Sequence, residues 1–155
     1  MDFYNKTPEE EYKMWRACYT LARRYHKGQK RSDGKPYFKH HVMQVAGYFI
    51  KKKDWKRACV AVLHDVVEDT PCTRAMLSIA GVPPRICDAV YAITKQPGEP
   101  YEDYLGRVMG NTLAWKVKIQ DVLHNLTDNP DRRRIRKYAA TLLTLTENPP
   151  ESVIK

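Results

Sequence analysis

The chain of 155 residues carries 27 lysines and arginines against 18 acids, a formal charge of +9, and 43% hydrophobic residues. That length suits one domain, residues 1–155, with a sizeable core, and no apolar run approaches membrane-spanning length or follows basic residues at the N-terminus, so neither a membrane span nor a secretory leader is expected and the protein reads as cytoplasmic. The positive balance calls for an anionic partner, whether nucleic acid, an anionic membrane or a phosphorylated small molecule, without choosing among them.

Thr7-Pro8-Glu9-Glu10 is a helix start: Thr7 caps, Pro8 takes the first turn and Glu10 answers the cap from the third helical position. The helix runs to about His26, with Trp15, Cys18, Leu21, Ala22 and Tyr25 as its core stripe, and Gly28 can end it. Residues 28–37 follow as a basic loop marked by glycines and a proline. The loop leads into Phe38-Lys39-His40-His41 and a second helix with Val42, Val45, Ala46, Phe49 and Ile50 on one side. A histidine therefore stands at its first turn, beside cations able to receive phosphate.

Asp54 caps a third helix whose residues Ala58 to Leu63 are apolar on every side, so it should be buried all round. His64 and Asp65 continue this run. Charge in such a core costs on the order of several kcal/mol unless it is paired or bound to metal. Read as one helix, the segment stacks Glu68 on His64 and Asp69 on Asp65, lining one edge with nitrogen and oxygen donors suited to a divalent transition ion. Cys18, Cys59, Cys72 and Cys87 lack C-x-x-C spacing and are expected to be reduced thiols that bind no metal.

Beyond Thr70-Pro71 a short helix with Ala75, Met76, Leu77 and Ile79 stops at Gly81, and Pro83-Pro84 starts another through Ile93. The breaker-rich loop 95–100 should be mobile, and Tyr101 to Met109 forms a further helix with Tyr104, Leu105 and Val108 inward. In Ala114 to Leu126, Val117, Leu123 and Leu126 mark a core side while Asp121 and Asn125 share another face. Asp121 can complete a ligand set with a histidine near position 41, His64 and Asp65. No segment alternates as a strand does, which makes the fold all-α and single-domain.

Leu63-His64-Asp65-Val66-Val67-Glu68-Asp69-Thr70 resembles the signature of the HD superfamily of metal-dependent phosphohydrolases, and more narrowly the hydrolase domain of RelA/SpoT-type enzymes, which degrade the alarmone (p)ppGpp of the stringent response. His26-Lys27-Gly28-Gln29, Arg31, Gly34-Lys35-Pro36-Tyr37 and Gln44-Val45-Ala46 resemble that family's first helix, substrate loop and first metal-histidine segment. Lys118 to Leu126 resembles its last metal-ligand helix. Arg134 and Tyr138 match a substrate-contacting pair in small members, and the likeness spans about residues 15 to 145.

The resemblance implies an HD-type helical bundle that binds a divalent metal, usually manganese, through His41, His64, Asp65 and Asp121, with Glu68 and Asp69 orienting and deprotonating the attacking water. The family pattern places two residues between Pro-Tyr and the histidine, which selects His40, and three between the histidine and Val-Ala, which selects His41. One extra residue prevents both. We prefer His41, because a loop takes an insertion more easily than a helix changes face, and keep His40 as the alternate. The implied reaction removes the 3′-pyrophosphate from (p)ppGpp or its adenosine analogue (p)ppApp. Arg31 resembles the residue packed on the base, Asn125 a pocket residue near the nucleoside, and Lys30, Lys95, Arg134 and Tyr138 groups able to meet phosphates and ribose.

A nucleotidase or dNTP phosphohydrolase acting at 5′ phosphates would keep the ligands but need not keep Arg31, Gly34 to Tyr37, or Arg134 with Tyr138. A basic nucleic-acid-binding module would use Lys51-Lys52-Lys53, Lys56-Arg57 and Arg132-Arg133-Arg134, and would have no need of Glu68 and Asp69.

Overall fold

In the computed structural model, which describes residues 6–147 and 149–150, helix α1 spans Pro8–Tyr25. Thr7 and Glu10 close the expected capping box, each side chain bonded to the other's backbone N–H. Cys18 and Ala22 are buried on its inner stripe, and Gly28 turns the chain out of it with φ of 81°.

The third helix, α3 (Trp55–Leu63), is the axis of the fold, packed by α1, α2 (Met43–Lys51), α6 (Pro84–Ile93) and α8 (Thr112–Leu126). Every residue from Ala58 to Leu63 has 0% exposure, as a helix apolar on all sides requires. Asp54 caps it by accepting from the Arg57 N–H. Phe49 on α2 fills the side of this core with 2% exposure. Phe49→Ala should cost about 3–5 kcal/mol, read as a lower denaturant midpoint at unchanged slope.

The remaining helices are α4 (Val66–Asp69), α5 (Arg74–Ile79), α7 (Tyr101–Met109) and α9 (Arg132–Glu147), and no strand occurs among the described residues. Thr73 caps α5, but only Leu77 of its apolar residues is buried; Met76 is 40% and Ile79 86% exposed, because α5 lies on the surface of α6. On α8 the buried side is Leu113, Ala114, Val117, Asp121 and Val122, which corrects the expected face: Leu123 points outward at 42% exposure. The helix turns its carboxylate inward.

Loop 95–100 is held rather than loose. Glu99 accepts from Arg107 Nε at 2.8 Å and Nη2 at 2.6 Å, and Arg107 also donates to the carbonyls of Tyr91 and Thr94. Helix α9 is tied across the bundle by Trp115 Nε1, which donates to the Leu145 carbonyl, and by a Tyr101–Thr141 hydroxyl bond. These ties carry Arg134 and Tyr138 to the open end of the bundle. No described helix is long and apolar enough to cross a membrane.

Candidate metal centre and cleft

His64 and Asp65 are adjacent in sequence, and consecutive side chains on a regular α-helix diverge by about 100°, too far to serve one point. The chain solves this by leaving the helix. After Leu63, the His64 N–H reaches back only to the Ala61 carbonyl, and Asp65 takes φ −104° and ψ −1° in the bridge region before α4 begins. The continuous helix expected through residue 70 is therefore broken at the two residues that matter most. Asp69 nonetheless keeps its place beside Asp65, because its N–H bonds the Asp65 carbonyl.

The extra residue near His41 is absorbed by the helix, not by the loop. Residues Phe38–Val42 form a π turn in which the Met43 N–H donates to the Phe38 carbonyl five residues back, and α2 starts in its own register after it. Both Tyr37 and His41 consequently face the centre. His41 is 2% exposed, whereas His40 offers its backbone carbonyl to Arg31.

Four donor atoms from three places in the chain converge here. His41 Nε2 lies 3.3 Å from His64 Nε2, 3.3 Å from Asp65 Oδ2 and 3.2 Å from Asp121 Oδ1. His64 Nε2 lies 2.9 Å from Asp65 Oδ2 and 3.5 Å from Asp121 Oδ1. Edges of this size are those that metal–ligand bonds of ~2.0–2.2 Å generate. His64 donates its Nδ1–H to the Ala61 carbonyl at 2.6 Å, which leaves a lone pair on Nε2. Two imidazole nitrogens and two carboxylate oxygens suit a divalent transition ion, and His41, His64 and Asp121 alone already form a buried ligand group.

The electrostatics around the donors are coherent. Burial opposes ionisation of Asp121, but the Lys118 ammonium 2.9 Å away and the facing histidines hold its carboxyl well below the usual range. Burial likewise opposes charge on His64, but the Asp65 and Asp121 carboxylates together outweigh it and raise the imidazole pKa. Burial and the Asp65 charge push the Tyr37 phenol far above its ordinary value, so it stays protonated and donates to Asp65 at 2.5 Å and Asp69 at 3.3 Å. Tyr37→Phe is expected to weaken divalent-ion affinity about 10–100-fold in a metal titration, with the fold intact.

Glu68 and Asp69 stand at the solvent edge of the centre, their carboxyl groups turned to the protein: Glu68 accepts from the Lys95 backbone N–H at 3.2 Å. Partial burial of each carboxyl, followed by the Asp65 charge, lifts both above the usual carboxylate range. A raised carboxyl is better matched to accepting a proton near neutrality.

Beside the centre lies a cleft of about 300 Å³ whose lining includes Lys30, Arg31, Asn125, Arg134 and Tyr138, five of the six residues expected to meet substrate. Tyr37 and Asn125 join the two regions, since Tyr37 also lines the cleft and Asn125 donates to Asp121 Oδ1 at 3.0 Å. Lys95 does not join this cleft; what it brings to the site is the backbone N–H on Glu68. Arg31 is pinned by the His40 carbonyl and the Asp128 carboxylate. Sequence reasoning included Tyr37, Lys118 and His124 in the motifs that carry the likeness but gave none of them a part beside the donors. The latter two lie three residues either side of Asp121 on one helix face, and His124 Nδ1 sits 3.0 Å from His41 Nδ1, fixing that ring. Among the other basic clusters, Lys56 and Arg57 are paired with Glu11 and Asp54, which blunts the surface proposed for nucleic acid.

No protein-family profile matches the chain. It is similar to the bifunctional (p)ppGpp synthase/hydrolase SpoT of Escherichia coli, at 29% identity over 143 residues, which cover 82% of this chain and 20% of that protein. It is 31% identical over 129 residues to the guanosine-3′,5′-bis(diphosphate) 3′-pyrophosphohydrolase of Haemophilus influenzae, covering 74% of this chain and 19% of that one. The chain thus spans about one fifth of the length of these relatives. Among solved structures it resembles a metazoan orthologue of SpoT described as hydrolysing ppGpp, with TM-score 0.70 and 23% identity over 89% of this chain and 88% of the other. The resemblance to the HD-type hydrolase domain of RelA/SpoT-type enzymes is borne out along most of the chain, and the all-α HD-type bundle with it.

Proposed function

We propose, on the strength of that relationship, that the chain is a metal-dependent pyrophosphohydrolase that removes the 3′-pyrophosphate from (p)ppGpp, leaving GDP or GTP. The observation that carries this reading is the convergence of His41, His64, Asp65 and Asp121 beside two carboxylates, at the inner end of a cationic cleft. We take manganese as the metal, the cytoplasm as the compartment and an anionic nucleotide as the partner, with (p)ppApp as the adenosine counterpart.

The four donors would hold the ion, which supplies a Lewis acid that lowers the pKa of water and offsets phosphate charge. Tyr37 holds Asp65 aimed inward, and Lys118 keeps Asp121 ionised and aimed inward. Glu68 accepts the proton of the attacking water, steadied by the Lys95 backbone N–H, while Asp69 orients that water from the adjoining position. Lys30, Arg134 and Tyr138 draw the phosphates into the cleft and set the scissile bond in line with the water.

The test is pyrophosphate release from ppGpp, GTP and dATP, each with manganese and with chelator. Release from ppGpp alone, lost with chelator, is the expected result. Turnover confined to GTP or dATP would move the activity to 5′ phosphates, and no metal-dependent turnover of any of the three would remove the enzymatic reading.

A further inference from the structure

Asp128 is the one acidic side chain among the residues lining a cleft that otherwise offers Lys30, Arg31 and Arg134. Its carboxylate is paired with Arg31 and offsets that charge, so this part of the cleft is close to neutral while Lys30 and Arg134 keep the rest cationic, and it suits the uncharged part of a nucleotide. We infer that Asp128 reads the base and selects guanine over adenine, an inference that rests on the nucleotide reading above.

The carboxylate is placed in advance. Asn129, in the left-handed conformation with φ of 47°, turns the chain between α8 and α9, and Asp131 caps the start of α9 by accepting from the Arg134 N–H. Asp128 Oδ2 is bound by Arg31, whose side chain is 9% exposed and whose other guanidinium nitrogen donates to the His40 carbonyl at 2.9 Å. The anchor is thus fixed at both ends. A carboxylate offers about four acceptor sites, and Arg31 occupies one.

Guanine presents two adjacent donors, N1–H and the exocyclic N2–H, which suit a carboxylate that can only accept. Adenine presents a lone pair at N1 beside its N6–H. The first pattern is satisfied at Asp128, while the second sets a lone pair against a negative charge. A bidentate base contact of this kind discriminates about 10–100-fold. Asp128→Asn keeps the shape and an acceptor for Arg31, but adds an N–H that complements adenine.

The experiment compares kcat/KM for ppGpp and ppApp, and equilibrium binding of GDP and ADP, in wild type, Asp128→Asn and Asp128→Ala, with thermal melts as a folding control. Wild type should favour guanine about 10–100-fold in both readouts, Asp128→Ala should bring the ratio near one, and Asp128→Asn should lower or invert it. A wild type without base preference, or a preference that survives Asp128→Ala, overturns the inference whatever the rates. Absence of turnover on both substrates, with a GDP preference that disappears in Asp128→Ala, removes the hydrolase reading and leaves the base reader standing. Absence of both turnover and binding removes both.

Discussion

Asp65→Ala will abolish metal-dependent turnover, by at least about a thousandfold, and will lower affinity for the divalent ion by more than the ~10–100-fold expected from losing an outer hydrogen-bond partner. Asp65 Oδ2 is the atom nearest to His64 Nε2 and one of three that face His41 Nε2, so its removal opens one side of the donor set. It also releases the Tyr37 hydroxyl, leaving it only the longer bond to Asp69. Metal titration together with steady-state kinetics checks both losses. A variant that binds the ion like wild type and turns over within about tenfold of it would show that the ion is held elsewhere.

Glu68→Gln should act differently. The amide keeps an oxygen for the Lys95 N–H and leaves the four donors untouched, so metal affinity and KM should hold while kcat falls about 10²–10⁴-fold. Only the proton acceptor is lost. Glu68 accepts a proton only when ionised, so wild-type turnover should fall as the pH drops through its raised pKa, at a pH above the ordinary carboxylate range. The glutamine variant should lose that acid limb. A retained limb would assign the proton to Asp69.

Much of this arrangement was legible in the sequence because its signals are local. The capping box at Thr7, the all-apolar turns of α3 and the Pro83-Pro84 helix start each depend on neighbours within a few residues. The His-Asp pair stood out because charge directly after a fully apolar helix has few inexpensive explanations. What stayed hidden depends on partners remote in sequence. Nothing near Tyr37 announces a bond to Asp65, and the outward turn of Leu123 follows from α8 burying Asp121 and Val122. Loop 95–100 carries every local mark of flexibility, yet the clamp that holds it comes from Arg107 on the next helix. The break at His64 was missed for another reason: helix propensity continues through it, and the demand for two adjacent side chains at one point overrides that propensity.

The π turn at residues 38–42 bears on how this chain should be compared with others. Between Pro36-Tyr37 and Val45-Ala46 it is one residue longer than the pattern it resembles, and on either side of the turn Tyr37 bonds Asp65 while Val45 and Ala46 are buried. An alignment that puts the gap at the tip of the preceding loop would pair Tyr37 with the wrong column, and one that refuses a gap inside a helix would pair the wrong histidine. The π turn at the start of the helix is where this chain takes up the additional residue, so the gap is best placed within the first helical turn.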